Sequence, residues 1–236
     1  MVSTSSPGAP GSQRETWGRL ISTILLALVP IGVFTYGALA LVIAAGWARL
    51  PANRVAAFLI GAAVGELVAL GLVAWRLHRR GRTLRDLGWG RSTNWQAIVL
   101  GVVVAVVYSG WTVLNLHLGS HLLEFSWLKL IAIVVALVAG VVEETIFRGY
   151  VMTSLADMGY GLFVQTLLSG LLFGLVHFYG FGGLSAALAV QGVTLLLGIA
   201  LAIIYLIGKR SLTPVIIGHA LIDLIVEPWL LLTFFR

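Results

Sequence analysis

The chain of 236 residues is 59% hydrophobic and only 10% charged, with a mean hydropathy of +1.02. Soluble domains carry about 25% charged residues, so this chain cannot cover a water-facing surface, and its apolar surplus must face lipid. The net charge of +6 falls between apolar runs, with no basic helix or aromatic reading surface, which excludes nucleic acid as a partner. The absence of cysteine excludes disulfides, thiolate catalysis and cysteine metal sites.

In chain order, residues 1–18 are rich in Ser, Gly and Pro and read as a disordered tail. The remainder, 19–236, reads as one membrane-embedded domain. A membrane-crossing helix needs about 20 apolar residues. The runs that meet this are 20–47, 55–77, 95–116, 127–155, 161–179, 185–207 and 211–235, with Pro30 expected to kink the first. The fold class is therefore all-α, a polytopic transmembrane bundle of about seven helices. With the N-terminus inside, the inner segments hold Arg14, Arg19, Arg76, Arg79, Arg80, Arg82, Arg85, Arg91, Lys209 and Arg210. The outer ones hold Arg49, Arg54, Lys129 and Arg236, so positive charge favours this orientation in a plasma or cytoplasmic membrane. The basic stretch 76–91 reads as a topogenic loop, with anionic lipid headgroups as a rival reading. Membrane lipids are partners in either case.

Ionisable groups inside such runs each cost at least ~2.5–3.5 kcal/mol at mid-membrane and are functional candidates by default. Glu144 and Arg148 stand at i and i+4, in the favourable order for an ion pair. Glu143 points to the neighbouring helix face and is left over, a candidate general base. The competing reading is a structural salt-bridge cluster. His177 lies near the end of the next run. A turn at residues 158–160 puts Glu143 and His177 at similar depth, roughly 24–27 Å from that turn. His219 and Asp223 are again i and i+4, in the last run. The blander reading, that Asp223 merely satisfies His219, still requires a polar interior. Glu66, mid-helix, reads as structural or accessory. Glu227 extends the His219–Asp223 stripe and reads as interfacial. His117, His121 and Glu124 read as polar loop residues rather than a metal site.

Serine chemistry of the GxSG type, the GxGD aspartyl motif and HExxH are all absent. A Glu, two His and an Asp suit activation of water by Glu143, assisted by His177, with a second donor group for an oxyanion. Peptide hydrolysis needs both parts. Two readings compete with it. Two His with Glu143 or Asp223 can fill three positions of a catalytic zinc site; otherwise no cofactor is implied. The buried charges can also form a proton relay in a transporter or a non-catalytic scaffold.

The segments Glu143-Glu144-x-x-Phe147-Arg148-Gly149, Phe173-x-x-x-His177 and His219-x-x-x-Asp223 resemble, in order, the three motifs of the CAAX-protease and bacteriocin-processing family, also called Abi. The resemblance covers residues 127–226, the expected catalytic core. It implies an intramembrane glutamic endopeptidase acting on a peptide or protein substrate, lipidated or membrane-associated. Carried over by position, Glu143 is the base that activates water and His177 its partner. His219 and Asp223 form the oxyanion-binding pair, and Glu144, Arg148 and Phe173 support the site. The family's best-understood branch often carries Asn at the last position. Asp223 differs, because an ionised carboxylate only accepts hydrogen bonds. Either it is protonated, or it accepts from His219 and fixes that ring's tautomer, leaving the other nitrogen to donate. The second is the expectation here.

Overall fold

The structure, a computed structural model, describes residues 10–115, 125–178 and 184–226. These residues form helices joined by short turns, with no strand among them. In order they are α1 (Pro10–Ala44), α2 (Pro51–His78), α3 (Trp95–Asn115), α4 (Trp127–Glu144), α5 (Met152–Asp157), α6 (Leu162–Val176), α7 (Leu184–Ile207) and α8 (Thr213–Ile225). Short 3-10 turns lie at Trp47–Arg49 and Leu84–Leu87. A π-helical stretch, Thr145–Val151, joins α4 to α5 without a break, so that Trp127–Asp157 is one rod of 31 residues.

Among the described residues, five helices are long and apolar enough to cross a membrane: α1, α2, α3, the α4–α5 rod and α7. Their outer faces carry large exposed apolar side chains, such as Ile21, Leu25, Val29 and Val33 at four-residue spacing on α1. Water would not tolerate that stripe over such a length; acyl chains do. The chain is thus an integral membrane protein.

Three features depart from the sequence expectation. First, α1 begins at Pro10, so residues 10–18 continue the helix instead of joining the tail, while residues 1–9 lie outside the described residues. Between Gly11 and Gly18 the sequence holds no breaker, and adding residues to an existing helix is far easier than nucleating one. Pro30 lies within the continuous α1. Second, α6 and α8 are only 15 and 13 residues long. α6 ends at Val176 with His177 as its cap, and α8 begins only after the 208–212 turn, while residues 179 and 227–235 of the expected spans 161–179 and 211–235 lie outside the described residues. Third, the rod changes pitch at Thr145, whose hydroxyl turns back to the Val141 carbonyl at 2.8 Å. Such bonds loosen the local helical ladder.

Packing is pairwise. α1 lies along α2, α6 along α7, and α3 along α8, while α4 sits between α2 and α8. The α3–α8 contact is close because both faces lack side chains: a Cβ on Gly218 would stand 2.9 Å from the Gly101 carbonyl. Without a hydrophobic drive between helices in lipid, such small-residue contacts do the packing. All seven residues of the π stretch are buried, which makes it the axis of the bundle. On one side it is held by the 84–91 loop, where Trp89 donates to Thr145 Oγ1 at 3.2 Å and Leu87 packs on Gly149. That loop is itself fixed. The Thr83 N–H donates to Asp86 Oδ2 at 2.7 Å, and this bond, aided by Arg82 and Arg91, holds the Asp86 carboxyl below the usual carboxylate range. Buried Tyr205 donates from Oη to the Leu87 carbonyl at 3.0 Å.

Tyr205→Phe removes the donor and leaves the Leu87 carbonyl without its partner. We expect a loss of about 1–3 kcal/mol of stability, read by chemical denaturation in detergent. A variant as stable as the parent would mean that the loop is not anchored by this bond.

Candidate active site

The polar interior starts from one carboxylate oxygen. Glu144 Oε1 accepts from Arg148 Nη1 at 2.7 Å and from His219 Nδ1 at 2.8 Å. All three side chains are buried. The i,i+4 pairing of Glu144 with Arg148 matches the sequence expectation and survives the change to π pitch. Arg148 is tied down further: Nη2 donates to the Gly198 carbonyl at 3.1 Å, and the guanidinium carbon lies 4.3 Å from the centre of the Phe173 ring. A guanidinium in this setting is satisfied by a carboxylate, a carbonyl and an aromatic face rather than by water.

His219 is oriented by Glu144, where Asp223 was the expected partner. The ionised carboxylate of the Glu144–Arg148 pair can only accept, so Nδ1 of His219 carries the proton. The other nitrogen, Nε2, faces Asp223 Oδ1 at 3.5 Å and Glu143 Oε2 at 3.8 Å. Both separations exceed a direct hydrogen bond. Glu144 comes close because α4 and α8 meet at Gly140, where a Cβ would stand 2.5 Å from Asp223 Oδ2 and 3.4 Å from His219 Cγ. Sequence reasoning passed over Gly140. Its signal was the stripe Ala132, Ala136, Gly140, small residues every four positions that form the buried face of α4.

His177 caps the C-terminal end of α6 and is half-buried. Its Nδ1 lies 2.8 Å from the Phe173 carbonyl, which can only accept, so Nδ1 is the donor. In the neutral ring Nε2 is then left as an acceptor. The Phe173 ring centre lies 4.6 Å from that of His177 and 5.6 Å from that of His219, so the two imidazoles flank one aromatic side chain.

Glu143, His177, His219 and Asp223 all line one cavity of about 60 Å³ between α2, α4, α6, α7 and α8. A volume of this size takes more than one water. Glu66 on α2, Tyr108 on α3 and Thr194 on α7 complete its polar lining. Glu66 is thus at the cavity, where sequence had given it no partner; Tyr108 and Thr194 were not singled out at all. Glu227, His117, His121 and Glu124 lie outside the described residues. Among the described residues, no group of three or more His, Asp and Glu side chains is arranged to hold a metal ion.

Residues 124–225 match the family described as Type II CAAX prenyl endopeptidase Rce1-like. The match takes in Glu143, His177, His219 and Asp223 but not Glu66 or Tyr108, and agrees with the resemblance carried by the three motifs. Comparison with curated proteins and with solved structures gave no match.

Gly140→Ala places a methyl group against Asp223 and should cost about 1–3 kcal/mol. Removing the obstruction with Asp223→Ala in the same chain should restore much of the loss in a thermal unfolding series. Equal melting temperatures for the parent and Gly140→Ala would show that α4 and α8 are not in tight contact there.

Proposed function

We propose that the chain is an intramembrane endopeptidase of the glutamic type, with its catalytic core in residues 127–226 and Glu143 as the base that activates water. The observation that carries this reading is the convergence of Glu143, His177, His219 and Asp223 on one cavity with room for water. A substrate carbonyl enters between Glu143 and His219. Glu143 takes a proton from water, the water oxygen bonds to the carbonyl carbon, and the carbonyl oxygen becomes an oxyanion. His219 is held by Glu144 through Nδ1. In its doubly protonated form it donates from Nε2 to that oxyanion, a fixed donor in a low-dielectric site. Collapse of the intermediate breaks the C–N bond, and the proton held by Glu143 passes to the leaving nitrogen.

His177 fits the role of partner to Glu143, because its Nδ1 is engaged by the Phe173 carbonyl, which fixes the ring, and both side chains line the same cavity. Asp223 faces the Nε2 side of His219 and acts on that ring, as a carboxylate that only accepts should. Glu144, Arg148 and Phe173 support the two imidazoles. The N-terminus faces the inside of a plasma or cytoplasmic membrane in this reading, as the distribution of Arg and Lys favours. The substrate is lipidated or membrane-associated, which suits a site reached through a bundle.

Glu143→Gln should lower kcat for peptide cleavage by at least about 100-fold while the melting temperature stays within error of the parent. Activity should persist in full after metal removal with a strong chelator. Cleavage by Glu143→Gln at the parent rate, or loss of activity on metal removal with recovery on adding zinc, refutes the assignment.

A further inference from the structure

The basic residues gather at one end of the bundle, where residues 76–91 and the 208–212 turn meet the start of α1 and the end of α5. Bonds between elements fix that grouping. Arg82 pairs with Asp157, Arg210 Nη2 donates to Gln165 Oε1 at 2.6 Å, and the Ser211 hydroxyl donates to the Arg91 carbonyl at 3.0 Å. The acids of the same segments are Glu15, Asp86 and Asp157, well outnumbered by Arg and Lys. Topology calls for an excess of positive charge at one end, but not for any particular arrangement of it.

The structure distributes these charges unevenly. Arg76 is turned into the α1–α2 interface, where Nη2 donates to Ser22 Oγ at 2.8 Å. Arg79 lies against Trp75, its guanidinium carbon 5.8 Å from the ring centre. Arg210 is engaged by Gln165. Arg19 of α1, with Arg80 and Arg82 from the turn after α2, instead lines one open cleft together with Asp157 at the end of α5. Asp157 is answered by Arg82. Among the described side chains no carboxylate pairs with Arg19 or Arg80, so the cleft keeps the charge of two guanidinium groups. Arg82 also has N–H donors beyond the one given to Asp157.

The cleft stands at the level of lipid headgroups. Trp17, two residues before Arg19, is 61% exposed, and Trp75, near the end of α2, is 60% exposed. Exposed indoles of this kind settle at the membrane–water boundary. From there both helices run on with apolar side chains exposed to acyl chains, Ile21 and Leu25 on α1 and Leu72 on α2. An anion held between the arginines is best supplied by a molecule whose own acyl chains can follow those faces. The planar guanidinium also suits phosphate, because it bonds two of its oxygens at once.

We propose that the cleft formed by Arg19, Arg80 and Arg82 beside Asp157 binds the phosphate headgroup of an anionic phospholipid. Arg19 and Arg80 hold the phosphate, while Arg82, kept in place by Asp157, donates from its remaining N–H groups. The acyl chains lie along α1 and α2. The lipid thereby ties the start of α1 to the loop after α2 and, through Arg82 and Asp157, to the end of the rod. A zwitterionic lipid brings its own cation towards the arginines and is disfavoured. The site is separate from the cavity that holds Glu143 and does not depend on the protease reading.

The test uses the purified full chain in nonionic detergent, titrated with phosphatidylglycerol or phosphatidylcholine, with bound lipid counted by native mass spectrometry. We expect phosphatidylglycerol to bind at least about tenfold more tightly. Arg19→Gln with Arg80→Gln should weaken its binding about tenfold or more. Arg79→Gln with Arg85→Gln, the same loss of charge outside the cleft, should leave it nearly unchanged. Equal weakening by the two pairs overturns the site, because the attraction would then be diffuse, and equal affinity for the two lipids overturns it as well. Inorganic phosphate separates the sources: displacement of phosphatidylglycerol by equimolar phosphate overturns the lipid assignment in favour of a free anion. A second arm needs only the parent chain. Phosphatidylglycerol should raise its melting temperature and phosphatidylcholine should not; equal shifts overturn the proposal.

Discussion

Glu144 Oε1 accepts from Arg148 and from His219 at once, and the rest of the site depends on this shared oxygen. Remove it, and a guanidinium is left in an apolar interior while an imidazole loses the bond that sets its orientation. Arg148 then reaches across to α7 through the Gly198 carbonyl and lies on Phe173 of α6. One ion pair thereby connects the rod to α6, α7 and α8. The cost of burying these charges is offset only because each has a partner of matching geometry. The same bond directs the free edge of His219 towards Glu143 and Asp223, so a structural pair on α4 sets up the chemistry of its neighbour.

The bilayer imposes the second constraint. Polar backbone and ionisable side chains are tolerated at membrane depth only where they are enclosed by protein or line a wet cavity. The two short helices follow from this. α6 stops at His177, and the exposed helix end is given over to an imidazole whose Nδ1 bonds the Phe173 carbonyl. α8 is short and carries His219 and Asp223 on the face turned to α4. The long helices α1, α2, α3 and α7 provide the lipid-facing wall around them. Small residues at Gly101, Gly140 and Gly218 let the helices approach closely enough to enclose the cavity.

Much of this could be read from the residues because it is local. The Glu144–Arg148 pair follows from a spacing of four on one helix, and the common depth of Glu143 and His177 from the hairpin turn between them. The membrane character follows from composition. Other parts depend on which helices become neighbours, and periodicity does not report that. His219 is 75 residues from Glu144, and nothing in its own segment favours Glu144 over Asp223 as the closer partner. The site residue on α2, Glu66, could not be paired because its helix and α4 are separated by a loop and another span. The π stretch was hidden because it lies inside one continuous apolar run, 127–155. Gly140 alone left a local signal, the small-residue stripe on α4, whose meaning needed α8 beside it.

The coupling between Glu144 and His219 is the most direct measure of this account. A double-mutant cycle with Glu144→Gln, His219→Gln and the pair, followed by chemical denaturation in detergent, isolates it. The account predicts a coupling energy between about 0.5 and 3 kcal/mol. Effects that simply add, within about 0.3 kcal/mol, would contradict it, because the two side chains would then not share a bond.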